Sequence, residues 1–286
     1  MTNPEQKKLG IVAGDGHLPA LLIAACRGQN RPYTVIAIQG AAQPDLLGED
    51  PALWMRLGAA ANGFAQLRSD GVECVVLAGK VKRPSFKDLV PDWRTAKFIA
   101  RVGTRAFTER HSVGDDKFLR AVVAEIEIDG FVIVGVDTVL PELIAKGGPI
   151  GKKKPTAGDF ADISVGFQAA KDLGQKDIGQ AVVVQNGAVI CKESETGTDA
   201  LIAAAGAIKA DGPGPILVKT KKPGQDRRVD LPAIGVETIM TATEAGFRGI
   251  AIEAENTLIL GRAAVAVSAD EKGLFVVAVD GSEWTK

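Results

Sequence analysis

Residues 9–19 read LGIVAGDGHLP. A short apolar run ends in Gly14, and the turn Gly14-Asp15-Gly16 leads into Leu18-Pro19 and a helically spaced stretch that closes at Gly28. An unbroken apolar run of this length suits a strand buried on both faces, as in parallel sheets covered by helices. The same grammar recurs in YTVIAIQG (33–40), VECVVLAG (72–79) and FVIVGV (131–136), while WMRLG (54–58) is ambiguous. Helical spacing fills 59–68, 93–105 and 112–128. This alternation predicts a Rossmann-like parallel α/β sheet over residues 1–137.

The pattern changes at 138–157, where Gly147-Gly148-Pro149 and the triplet Lys152-Lys153-Lys154 read as a linker. A helix capped by Thr156 or Asp159 follows. AVVVQNGAVICKE (181–193) is a hairpin signal, because Asn186-Gly187 suits a type I′ turn. Further helices are expected from Gly197 to about 210, over 236–245 and over 263–272, with strands at PILVK, GIAIEA, TLILG and LFVVAV. Hairpins mixed with helices predict a second α/β domain, 158–286, built on a mixed sheet.

The chain of 286 residues is 46% hydrophobic and carries a formal net charge of -1, so two cores are expected and no overall basic field favours nucleic acid. Aromatics are 5%, too few for a base-stacking platform. Cys26, Cys74 and Cys191 are scattered in apolar runs without a CxxC, which reads as reduced core thiols and neither zinc nor a disulfide framework. The start lacks signal-peptide character and no run reaches membrane-spanning length, so a cytoplasmic protein is expected.

Several stretches offer chemistry. In Gly14–Pro19 the glycines allow backbone N–H groups to approach a phosphate or ribose at a helix N-terminus. Pro19 stands where a dinucleotide fingerprint wants its third glycine, and the second strand ends near Gln39 in place of an acidic residue, which weighs against NAD. LAGKVKRP (77–84) brings Gly79, Lys80, Lys82 and Arg83 to another strand end of the same sheet; the reading is an anion site or a solvated loop. Asp115-Asp116 reads as a helix cap or a ligand pair, and His17 and His111 form no cluster. Gly197-Thr198-Asp199 reads as a helix cap or a phosphate pocket. VKTKKPGQDRRVDLP (218–232) crowds five cations and two carboxylates around Pro223-Gly224. Phosphoryl transfer needs cations for the non-bridging oxygens and a group that orients water or holds a metal. Residue chemistry leaves a phosphate-handling site and a solvated loop both open here.

Taken together, LGIVAGDGHLP, VVLAGKVKRP, GDDKFLR, KDIGQAVVVQNGAV, GTDALI, KKPGQDRRVDLPAIG and GIAIEAENTLIL resemble the LpxI-type UDP-2,3-diacylglucosamine pyrophosphatases of lipid A biosynthesis in Gram-negative bacteria. The resemblance spans nearly the whole chain. It implies two α/β domains with the lipid-linked nucleotide held between them. It also implies a magnesium-dependent hydrolysis of UDP-2,3-diacylglucosamine to UMP and 2,3-diacylglucosamine 1-phosphate (lipid X), with water attacking the sugar-side phosphorus. The family's essential aspartate falls on Asp226, expected to hold Mg2+ or orient water. Lys219, Lys222 and Gln225 are then expected diphosphate contacts, and Gly197, Thr198 and Asp199 complete that pocket. Gly14, Asp15, Gly16, Leu18 and Pro19 hold the uridine side, with Gly79, Lys80 and Arg83 nearby. Thr196, Glu255 and Gly261 depart from the family pattern and are left outside the site. A diacyl substrate implies contact with the cytoplasmic face of the inner membrane, with Lys152–Lys154 as a candidate for anionic lipid. The competing readings are an NAD- or nucleotide-dependent oxidoreductase and a nucleotide- or lipid-binding sensor without turnover.

Overall fold

The computed structural model describes residues 7–48, 50–81, 91–102 and 115–281. The chain divides into two compact units: residues 1–141 with 226–229, and residues 142–225 with 230–286.

The first unit is a five-stranded sheet of β1 (Leu9–Ala13), β2 (Tyr33–Ile38), β3 (Ala52–Met55), β4 (Cys74–Ala78) and β5 (Val132–Ile133). Its order is β3-β2-β1-β4-β5 and every pairing is parallel. Leu9, Ile11, Ala13, Cys74, Val75 and Val76 are completely buried, as continuous apolar strands require. The connections carry α1 (Leu18–Gly28), α2 (Pro44–Leu47), α3 (Ala60–Ser69), α4 (Trp93–Val102) and α5 (Asp115–Ile128). One core cluster joins Ile36 and Ile38 of β2 to Val123 and Ile126 of α5, with Val229 packed against it. The strand expected over 131–136 is shorter: the chain turns into α6 (Val136–Val139) directly after β5.

The second unit is built on a six-stranded mixed sheet. Its strands are β6 (Gly148–Pro149), β7 (Ala181–Gln185), β8 (Ala188–Lys192), β9 (Ile216–Lys219), β11 (Gly249–Glu253) and β13 (Phe275–Val279), in the order β6-β13-β11-β9-β7-β8. β9, β11 and β13 run parallel; β7 and β6 are antiparallel to their neighbours. The short β10 (Ala233–Ile234) and β12 (Leu258–Ile259) pair separately. Residues 138–157, read as a linker, contribute β6 and a bridge from Ile144 to Leu258 to this unit.

Each face of the mixed sheet has its own core. One face packs Val182, Val184, Ile216 and Val218 against α7 (Ala157–Gln175) through Ile163 and Phe167. The other is covered by α8 (Gly197–Ile208), α9 (Val236–Glu244) and α10 (Arg262–Lys272). Thr156 caps α7 in a capping box with Asp159, whose carboxylate also takes Arg248 Nε at 2.6 Å. The β7–β8 hairpin turns at Asn186 and Gly187, φ 53° and 78°, as a type I′ turn requires.

Candidate active site

In the first unit the sheet order reverses at β1 and β4, the crevice where open α/β sheets receive ligands. The loops leaving these two strands are laced together by their backbones. Gly14 N–H donates to the Ala78 carbonyl at 2.7 Å, Asp15 N–H to the Lys80 carbonyl at 2.8 Å, and Lys80 N–H returns to Asp15 at 2.9 Å. That closeness explains the glycines. A Cβ on Gly79, at φ +88°, would sit 2.5 Å from the Asp15 carbonyl, and one on Gly14 would sit 2.6 Å from that of Lys80. Asp15 Oδ1 accepts the Gly16 N–H at 2.8 Å and a bond from Gln43 Nε2. α1 then opens after His17 without a side-chain cap, with Leu18 and Pro19 in its first turn. Its first N–H groups have no capping side chain and suit an acceptor-rich ligand. The structure thus brings Gly14, Asp15, Gly16, Leu18, Pro19, Gly79 and Lys80 to one sheet edge, while Arg83 lies outside the described residues.

Asp226 belongs to the same unit. Arg228 forks onto its carboxylate: Nε lies 3.0 Å from Oδ1 and Nη2 lies 2.7 Å from Oδ2, while the Arg228 N–H adds a bond of 3.0 Å. Arg228 Nη1 reaches Glu127 of α5 at 2.7 Å, and Arg227 Nε reaches Asp137 of α6 at 2.8 Å. The Arg228 guanidinium holds the Asp226 carboxyl below the usual aspartate range despite partial burial, and the charge of Arg120 helps. A carboxylate this acidic is a poor proton acceptor at neutral pH and a good anchor for a cation or for water protons.

In the second unit the remaining expected residues gather at the C-terminal edge of β9. Lys219 is buried, and its Nζ donates to Thr198 Oγ1 and to the Ala233 carbonyl, each at 3.1 Å. Thr198 in turn donates to Glu193 Oε1 at 2.6 Å. The first turn of α8 is therefore tied to the end of β9. Asp199 is exposed on that turn, and Gly197 has φ +85°. Lys222 pairs with Asp177 at 2.9 Å. Gln225 is buried; its Oε1 takes the Lys222 N–H at 3.2 Å and its Nε2 donates to Asp230. Gly224 turns the chain at φ +77°. Lys222 and Gln225 thus lie on the loop that leaves β9 at Lys219, but each of the three side chains is engaged within the protein. Sequence reasoning counted Arg228 and Asp230 among the charges of 218–232 without giving them a role, and it passed over Lys171 and Glu253. Glu253 did leave a signal, as a carboxylate ending the apolar run GIAIE.

Residues 8–143 match the LpxI N-terminal domain, and residues 146–277 match the LpxI C-terminal domain. This chain belongs to the LpxI family. It is 38% identical over 283 residues to the UDP-2,3-diacylglucosamine pyrophosphatase LpxI of Caulobacter vibrioides, with 97% of this chain and 99% of the relative covered. The resemblance carried by the glycine loop and by KKPGQDRRVDLPAIG therefore extends over both LpxI domains. The N-terminal match takes in the laced β1 and β4 loops, and the C-terminal match takes in Lys219–Asp226 and the start of α8.

The LpxI resemblance also implies a divalent cation. Among the described residues no group of three or more His, Cys, Asp or Glu side chains is placed to hold one. Both oxygens of Asp226 are taken by Arg228. Among the described residues such a donor set fits magnesium bound through one carboxylate plus substrate phosphates better than a cage made by protein side chains. Among the described residues no helix is long and apolar enough to cross a membrane.

Proposed function

We propose that this chain hydrolyses the diphosphate of UDP-2,3-diacylglucosamine to UMP and 2,3-diacylglucosamine 1-phosphate, a step of lipid A biosynthesis. The supporting observation is 38% identity over nearly the full length of both chains to a relative bearing that activity in its name. In this reading a water oxygen bonds to the sugar-side phosphorus as the bond from that phosphorus to the bridging oxygen breaks. The bridging oxygen departs with UMP. Magnesium, when bound, neutralises charge on the non-bridging oxygens.

The protein's own groups supply binding and orientation. The uncapped start of α1 and the glycine loop Gly14–Gly16 meet the uridine portion, with Lys80 adding positive charge. Asp226 orients water or carries the cation; its depressed pKa makes it an anchor in place of a general base. Lys222 offers charge to the diphosphate by exchanging its partner Asp177 for phosphate oxygens. Lys219 acts through Thr198, which it holds at the start of α8. The acyl chains are expected elsewhere than the cavity of about 450 Å³ at the ends of β11 and β13. That cavity is lined by Glu253, Glu255, Asp280 and Lys171, which hydrocarbon would desolvate at a cost.

A diacyl substrate comes from a bilayer, so the exposed Lys152–Lys154 run is proposed to meet anionic headgroups on the cytoplasmic face. The deciding experiment is incubation with UDP-2,3-diacylglucosamine and magnesium, reading UMP release. Binding without turnover would favour a sensor, and neither binding nor turnover would refute the assignment. An oxidoreductase is not favoured, because Gln39 follows β2 where an acidic ribose ligand would stand.

A further inference from the structure

We infer that Lys171 and Glu253 are positioning residues for the loop Lys219–Gln225, a role that rests on the hydrolase reading above. Lys171 Nζ donates to Glu253 Oε1 at 2.9 Å, to Glu253 Oε2 at 2.7 Å and to the Lys221 carbonyl at 3.0 Å. Three protons thus find three acceptors. Glu253 Oε2 also accepts the Lys221 N–H at 2.8 Å, and Oε1 accepts Asn256 Nδ2 at 3.1 Å. The pair therefore grips both the N–H and the C=O of one residue.

Its side chains are only 14% and 7% exposed. A buried ion pair gains little over apolar side chains of the same volume, because desolvating two charges offsets their attraction. What an apolar pair cannot do is bond a backbone N–H and C=O at once. The geometric act is the one that distinguishes these residues. It is also well placed, since Lys221 is where the turn begins. The next N–H, of Lys222, goes to Gln225 Oε1, and Lys221 Nζ reaches the Gln225 carbonyl at 3.4 Å. Anchoring Lys221 from α7 and from the end of β11 thus sets the frame on which Lys222 and Gln225 are displayed, and from which the chain enters Asp226.

The test is the double variant Lys171→Met/Glu253→Leu, which removes both charges at similar volume and leaves no unpaired buried ion. Hydrogen exchange in the substrate-free protein is expected to quicken across 220–225 while β9 and β11 keep wild-type protection. In steady state kcat is expected to fall about tenfold or more, because small misplacements of aligned groups are costly in the transition state. KM should move much less, since lysine charge attracts a diphosphate from several loop geometries. Lys171→Arg, which retains donors for both Glu253 and the carbonyl, should restore most of the turnover lost in Lys171→Met. A folded double variant with unchanged exchange at 220–225 and wild-type kcat would overturn the inference. If the double variant does not fold, Lys171→Met, which removes the bond to the Lys221 carbonyl, is read by the same two measurements and the same outcomes. Exchange is measured without substrate, so a wild-type protein inactive on UDP-2,3-diacylglucosamine would refute the hydrolase reading and leave the clamp separately judged.

Discussion

Arg228 occupies both carboxylate oxygens of Asp226 through a two-point fork, two residues along the same loop. The fork fixes the carboxylate's direction and keeps it charged, yet competes with any cation that Asp226 is to receive. Arg228→Ala should therefore let the substrate-free protein bind Mn2+ more tightly while lowering turnover. Arg228→Lys, a point charge without the fork, should fall between wild type and Ala in metal affinity. Electron paramagnetic resonance titration of Mn2+ gives the comparison, and equal affinities in all three proteins would show that Arg228 does not compete with the ion.

Asp226→Asn is expected to retain substrate affinity and lose turnover by about 10²-fold or more, as for groups that act mainly in the transition state. Asparagine keeps the size and can accept one of the two Arg228 bonds, but its amide NH2 cannot accept the other and the charge is lost. The measurement is kcat and substrate Kd, with a thermal melt as folding control. Turnover within a few-fold of wild type would make Asp226 a structural residue.

Turnover is expected to stop in excess chelator and return with magnesium, because the Asp226 carboxylate adds to the negative charge of the diphosphate and a divalent cation is what offsets both. In heavy-oxygen water the label should appear in 2,3-diacylglucosamine 1-phosphate. Label in UMP would place the attack on the other phosphorus.

Gly79→Ala should destabilise the protein by roughly 2 kcal/mol, since it adds a Cβ 2.5 Å from the Asp15 carbonyl at a positive φ. The lacing of the β1 and β4 loops would open, so nucleotide affinity should fall with the melting temperature. An unchanged melt would mean that the backbone relaxes without cost.

Asp159 joins the α7 cap to Arg248. Burial pushes its pKa up, but bonds from the Thr156 N–H and hydroxyl and from Arg248 outweigh this and hold it below the usual value. A depressed folded pKa stabilises above the unfolded value of about 4 and loses that contribution as pH falls through the folded one. Asp159→Asn should cost about 2–3 kcal/mol at neutral pH, with the gap to wild type closing below about pH 4. Urea unfolding at pH 7 and pH 3.5 checks the sign; a gap that widens in acid would reverse the argument.

Local rules already fixed much of this protein in its sequence. Apolar runs ending at Gly14, Gly40 and Gly79 specify buried parallel strands. Asn186-Gly187 specifies a hairpin, and Thr156 with Asp159 a capped helix. Each rests on residues close in the chain, where backbone preference and period decide. Tertiary structure decided what those residues face. Lys219 reads as a diphosphate contact, and what the fold adds is that it is buried with its ammonium on Thr198, 21 positions away. The grip on Lys221 joins Lys171 to Glu253, 82 positions apart, and no periodicity encodes that meeting. The stretch 131–136 reads as one strand, but only Val132–Ile133 pairs before the chain turns into helix at Val136. Strand and helix propensity are properties of a few neighbouring residues. Burial and charge pairing depend on which distant segments the packed sheets bring together, and that is settled only when the chain folds.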